Sequence, residues 1–205
     1  MLTKRIMRET AQTKRRLSLL DFDELNVLKE TDALYESFGQ DCRTVFGDIY
    51  RLRYEEVLLW LGKKVPPIDE VDELVEMWLT GFLNEPNETT HYAFETELVR
   101  KRDRAKEAVT AVPTKTQKQL ELEKAARYVI QQSAWYCDFA SQESEIQALK
   151  DAGVKKVIRI EQDDDRTCDL CRNLHGKVYE IGKIPPLEHL RCRRTFRPYE
   201  RIGAI

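Results

Sequence analysis

The sequence predicts a mainly α protein, with an elongated helical N-terminal body and a small C-terminal α+β lobe of zinc-knuckle type. Three observations carry this expectation. Up to about residue 152, apolar side chains recur at steps of three and four, the period of a helix face. Beyond Gly153 the pattern changes to short runs rich in β-branched residues, bounded by turn signals. Within that last stretch Cys168 and Cys171 are followed by His189 and Cys192, two pairs whose two-residue gap lets side chains converge on one ion.

Residues from about 3 to 20 suit a short basic helix. Asp21 or Asp23 follows as an N-cap, with Glu24 just inside. From there to Leu61, the positions Leu28, Tyr35, Phe38, Cys42, Val45, Ile49, Leu52 and Leu59 form a coiled-coil-like seam. One helix of that length spans roughly 55–60 Å. Gly39 and Gly47 are expected to weaken or break it, and Gly62 with Pro66 and Pro67 to end it. Asp69 to Leu83 reads as a second amphipathic helix with Val71, Leu74, Val75, Trp78, Leu79 and Phe82 on one stripe. After the turn Asn84-Glu85-Pro86-Asn87, a third helix is expected from Thr89 or Thr90 to Val112, stopped by Pro113. The fourth runs from about Thr116 to Ala152, with Leu120, Leu122, Ala126, Val129, Ile130, Ser133, Tyr136, Ala140, Ile146 and Leu149 as its stripe and Gly153 as its C′ residue. Val154 to Ile160, Lys177 to Ile181 and Thr195 to Tyr199 are the expected strands of the lobe.

The balance of 34% charged and 41% hydrophobic residues suits a helix-rich chain outside the membrane, and no run approaches the roughly twenty apolar residues of a bilayer span. The basic start lacks an apolar segment and a cleavage site, so no signal peptide is expected. Five cysteines, with Cys42 and Cys137 inside helical patterns as ordinary buried thiols, argue for synthesis in the cytosol and against a disulfide framework. A net charge of −2 conceals basic blocks at residues 4–16, at 100–106 and at Arg191, Arg193, Arg194, Arg197 and Arg201. The middle block reads as a solvated helix face. The terminal blocks suit phosphate backbones or an acidic protein surface, although no aromatic residues are interleaved for base stacking.

The four candidate ligands Cys168, Cys171, His189 and Cys192 make a closed Cys₃His set, the pattern of a structural zinc site. Thiolate and imidazole favour zinc, while ligand type alone leaves iron open. His175 is a competing ligand, four residues after Cys171 and without a partner at knuckle spacing; its other reading is as part of the turn Asn173-Leu174-His175-Gly176. Glu188, next to His189, reads as an exposed turn residue, and the triple Asp163–Asp165 as an acidic turn after a strand.

From about Leu120 to Pro198 the chain resembles the Mu F-like minor head proteins of tailed bacteriophages, also called head morphogenesis proteins. The likeness rests on an ordered string: a helix ending in Asp151-Ala152-Gly153-Val154-Lys155-Lys156-Val157, then Asp164-Asp165-Arg166-Thr167-Cys168-Asp169-Leu170-Cys171, Leu174-His175-Gly176-Lys177-Val178-Tyr179, and Pro185-Pro186-Leu187-Glu188-His189-Leu190-Arg191-Cys192-Arg193. Two positions depart from the family pattern: Leu190 stands where it has Pro, and Arg194 where it has a final Cys.

The resemblance implies a structural virion component at the portal vertex or head interior that acts in head assembly and in DNA packaging or ejection. The implied partners are the portal protein, the major capsid protein and packaged double-stranded DNA, with an oligomeric state in the virion and no membrane. On this reading residues 1–113 are a helical region for portal contact or oligomerisation, and 114–205 the Mu F-like domain with the long helix and the Cys₃His lobe. The alternative is a nucleic-acid-binding zinc module using Arg191, Arg193, Arg194 and Arg197. No catalysis is expected: four protein ligands close the metal shell, and neither a Gly-rich phosphate loop nor a Ser/His/Asp arrangement is visible.

Overall fold

The computed structural model describes residues 24–86, 93–189 and 192–199, apart from the side chains at 24–26, 126, 129, 130 and 132. The expected basic helix at 3–20, the N-cap at Asp21 or Asp23, and Thr89 and Thr90 lie outside the described residues. The elements are α1 (Glu24–Trp60), α2 (Ile68–Asn84), α3 (Phe94–Thr110), α4 (Lys115–Asp151), β1 (Lys156–Ile160), α5 (Asp169–Arg172), β2 (Val178–Glu180), a 3₁₀ turn (Ile181–Lys183) and β3 (Thr195–Pro198). The fold among these residues is mainly helical with a small antiparallel sheet, strand order β2-β1-β3.

The expected boundaries hold to within a residue or two for α1, α2, α4 and the strands, because the stop signals are chemical. Gly62, at φ 68°, closes α1: its N–H donates to Leu59 O and that of Lys63 to Leu58 O. Gly153, at φ 81°, closes α4 in the same way, with bonds from Gly153 to Lys150 O and from Val154 to Leu149 O. Both are the paired-bond cap in which a left-handed residue satisfies carbonyls the helix leaves open. Neither Gly39 nor Gly47 interrupts α1. Gly39 serves a different purpose: a Cβ built there would stand 2.6 Å from Leu98 Cδ2 of α3, so the missing side chain permits a close helix approach.

The seam along α1 differs from the heptad expected. Tyr35, Cys42, Val45 and Ile49 are buried as foreseen, but Leu52 is 54% and Leu59 65% exposed, while Tyr50, Tyr54, Val57 and Leu58 face inward. A straight helix drifts by about 20° per heptad against a 3.5-residue repeat, so the buried stripe leaves the heptad positions before the helix ends. On α4, Leu120 is exposed and Leu122 buried, and Tyr136, Ala140, Ile146 and Leu149 are buried.

The chain forms two compact units whose boundaries lie inside helices, at Val45/Phe46, Trp78/Leu79 and Ala134/Trp135. The linear division at 113/114 falls in the turn between α3 and α4, whereas these units interleave along the chain. In the first unit, Val27, Val109 and Leu122 pack together with Leu28 and Leu34, and Tyr35 and Ala105 pack with Phe38, Leu98 and Ala125. Full burial of such side chains stabilises by roughly 1.5–3 kcal/mol each. Ion pairs flank this core: Lys106 Nζ lies 2.8 Å from Asp32, Arg43 pairs with Glu95, and Lys101 sits 3.8 Å above the Tyr128 ring. The basic block at 100–106 is therefore partly paired rather than only solvated.

In the second unit, Tyr50 stacks on Trp78 with ring centroids 4.7 Å apart, and Phe46 meets Tyr136 edge-on at 6.1 Å. Tyr54 donates to Asp151 Oδ2 at 2.7 Å. The lobe belongs to this unit. Its central strand β1 pairs Val157 with Tyr179 of β2 and with Pro198 of β3.

The glycines give a test with opposite signs. Gly153→Ala should destabilise by about 1–2 kcal/mol, because the left-handed conformation is strained for alanine and no neighbouring atom lies within 4 Å to offset it. Gly81→Ala, inside α2 with equally open surroundings, should stabilise by about 0.5–1 kcal/mol. Urea unfolding of both variants measures the two signs.

Candidate metal centre

Each pair of candidate ligands is set by a local turn. The Asp164 carboxylate accepts from Arg166 N and Thr167 Oγ1, and the Asp164 carbonyl from Thr167 N, which folds the acidic segment back after β1. Cys168 then caps α5, its sulfur accepting the Cys171 N–H at 3.5 Å. The cap turns both sulfurs toward one side. In the second pair, Cys192 N donates to His189 O at 3.1 Å, closing the turn between them.

The two turns converge. Cys168 Sγ lies 3.4 Å from His189 Nε2, Cys171 Sγ lies 3.2 Å from the same nitrogen, and Cys171 Sγ lies 3.6 Å from Cys192 Sγ. A tetrahedral ion with bonds of about 2.3 Å to sulfur and 2.0–2.1 Å to nitrogen has S···S edges of about 3.8 Å and S···N edges of about 3.5 Å. These three contacts are close to such edges; His189 is shared by the first two and Cys171 by the last two. Cys168, Cys171 and His189 form one group that could hold a metal ion, and Cys192 joins it through Cys171. A second donor stands beside them: a Glu161 carboxylate oxygen lies within 4.8 Å of both the Cys171 and the Cys192 sulfurs.

Burial pushes the Cys171 and Cys192 thiols up, and at Cys192 the Arg194 backbone N–H and the Arg159 charge pull partly the other way. A buried sulfur becomes a thiolate ligand only with a positive charge beside it, so metal binding here displaces protons. Cys168 is exposed, and Cys42 and Cys137 are buried in helices, apart from this cluster. His175 takes the other path open to it: its Nδ1 accepts the Glu161 N–H at 3.1 Å, fixing the turn that leads into β2.

Helix α4 holds the second pair in place. Gln142 Nε2 donates to Cys192 O at 2.6 Å, and its Oε1 accepts from Arg194 Nε at 3.1 Å. Three residues further along, buried Glu145 accepts from Thr195 Oγ1 at 2.5 Å, from Phe196 N at 3.4 Å and from Arg53 Nη2 at 3.0 Å.

The basic cluster around Cys192 is drawn into the lobe. Arg193 grips Asp164 with both ends of its guanidinium, at 2.7 and 2.5 Å, and holds that carboxyl well below the usual carboxylate range. Arg194, where the resembling family has a cysteine, is buried: it donates to Pro186 O and lies 5.3 Å from the Phe196 ring centre. Arg197 stacks over Trp60 at 4.4 Å. Arg191 lies outside the described residues. Glu188, expected to be exposed, is mostly covered and pairs with Arg159 at 2.5 Å.

Sequence reading overlooked Arg159, Glu161, Gln142 and Glu145. The signal for Arg159 was present: it occupies a buried position of a strand whose exposure alternates, where a charged residue is kept only if it is paired.

The purified chain should bind one divalent ion per molecule, with Cys171→Ser or Cys192→Ser abolishing tight binding. Cys42→Ser, Cys137→Ser and His175→Ala should retain it, which competition with a chromophoric chelator reads directly. Comparison with known protein families, with curated proteins and with solved structures finds no match for this chain.

Proposed function

We propose that this chain is a structural protein rather than a catalyst, its C-terminal lobe stapled by one zinc ion on Cys168, Cys171, His189 and Cys192. We propose further that it serves as a minor head component of a tailed bacteriophage, at or near the portal vertex. The observation that supports the first statement is the approach of the two knuckles, with Cys171 Sγ 3.2 Å from His189 Nε2 and 3.6 Å from Cys192 Sγ. Four protein ligands leave no open coordination position for a substrate, which is how structural sites differ from catalytic ones. Three thiolates and an imidazole suit zinc.

The phage role rests on the resemblance of the ordered string from Asp151 to Arg193. A rigid lobe joined to long helices suits assembly and docking. Among the described residues no helix is long and apolar enough to cross a membrane. The alternative of a nucleic-acid-binding zinc module is weaker: Arg193 is engaged by Asp164, Arg194 is buried and Arg197 lies on Trp60, so three of its four cations are already partnered.

Mass spectrometry of purified heads and procapsids from a phage encoding this chain should find it in low copy relative to the coat protein. It should also co-purify with the portal ring. Absence from both particles would overturn the assignment, whatever the zinc content of the isolated chain.

A further inference from the structure

Arg159 has none of its side chain exposed, yet its guanidinium is not occupied by carboxylates alone. Nε donates to Glu161 Oε1 at 2.5 Å and Nη1 to Glu188 Oε1 at 2.5 Å. Nη2 meets Glu188 Oε2 at 3.0 Å, Cys192 Sγ at 3.5 Å and Cys171 Sγ at 3.6 Å. One planar group thus touches the segment after β1, the first knuckle and the second knuckle. It reaches one sulfur from each pair.

We infer that Arg159 is an outer ligand of the metal centre: through its N–H···S bonds to Cys171 and Cys192 it joins the two knuckles and lowers the nucleophilicity of both sulfurs. The inference rests on the metal reading above and deepens it. Three thiolates and a neutral imidazole around a divalent ion leave one net negative charge, which a buried site must compensate. Glu161 and Glu188 add two negative charges, balanced by Arg159 together with Arg194, which lies 3.6 Å from Glu188; the two carboxylates are the cradle that aims the Arg159 guanidinium. Hydrogen bonds to a thiolate draw electron density from sulfur, so the two bonded sulfurs become less reactive than Cys168, which is exposed. A lysine could keep the charge but not the fork, since its ammonium is a compact point donor. Arg159 is a positioning residue in this scheme: it acts through the sulfurs and does not bind the ion.

Cobalt(II) replaces zinc in such sites and reports on sulfur through its thiolate-to-metal charge-transfer band. In the full chain, Arg159→Lys should weaken cobalt binding by about 10–100-fold, as loss of an outer-shell partner commonly does. The band should move to lower energy, and alkylation by iodoacetamide at Cys171 and Cys192 should speed up relative to Cys168. Arg43→Lys, on the Glu95 pair of the first unit, is the control and should leave the band in place. A second measurement needs no variant: in the wild-type chain loaded with cadmium-113, the Arg159 guanidinium protons should show scalar coupling to the metal across the N–H···S bonds. An unmoved band with affinity within twofold, or resolved guanidinium protons without coupling, overturns the role of Arg159 and leaves the metal centre standing. Failure of the wild-type chain to bind either ion overturns the metal reading itself.

Discussion

The proposed centre of the C-terminal lobe is the meeting of three sulfurs and one imidazole. Its strands are five, three and four residues long, too short for a sheet with a substantial core of its own. Among the described residues, Val157, Cys171, Leu187, Cys192 and Phe196 are its buried apolar side chains, and two of these five are candidate ligands. In small zinc-bound modules the ion contributes about 10–16 kcal/mol of folding free energy. A few short strands do not replace that. The ion is therefore the proposed source of the lobe's rigidity, and the sheet is the frame that holds its ligands at the right separations.

Around this centre the charged side chains form shells rather than a binding surface. Arg159 lies between two carboxylates and two sulfurs. Arg194 joins Gln142 of α4 to the Pro186 carbonyl, and Arg193 ties the second knuckle to the acidic turn that precedes the first. Glu145 accepts from β3 and from Arg53 of α1 at once. Removing one partner of such a buried network costs more than any single bond is worth, because the remaining group stays desolvated and unpaired. The basic block at 191–197 thus does much of its work inward, and what the chain offers a partner has to be sought in its helices and lobe surface.

The readable parts of the sequence were those fixed by local chemistry. Gly62 and Gly153 ended their helices because a left-handed cap is open to glycine. Knuckle spacing, a local geometric rule, singles out Cys168, Cys171, His189 and Cys192, and Cys171 indeed lies beside both His189 and Cys192. Long-range facts were harder. Leu52 and Leu59 followed the heptad and came out exposed, since only the partner helices decide which stripe of a straight helix is covered. Gly39 was read as a breaker, and its actual role, a gap for Leu98, depends on a helix nearly sixty residues away. The arginines near the C-terminus were read by their charge. Their placement depends on Asp164, Gln142 and Trp60, none of which is adjacent in sequence.

The most direct measurement is X-ray absorption at the zinc edge of the purified, zinc-loaded chain. A centre built by these four residues gives a first shell of three sulfurs at about 2.3 Å and one nitrogen at about 2.0 Å. A shell made of nitrogen and oxygen alone, or one with fewer than three sulfurs, would contradict it.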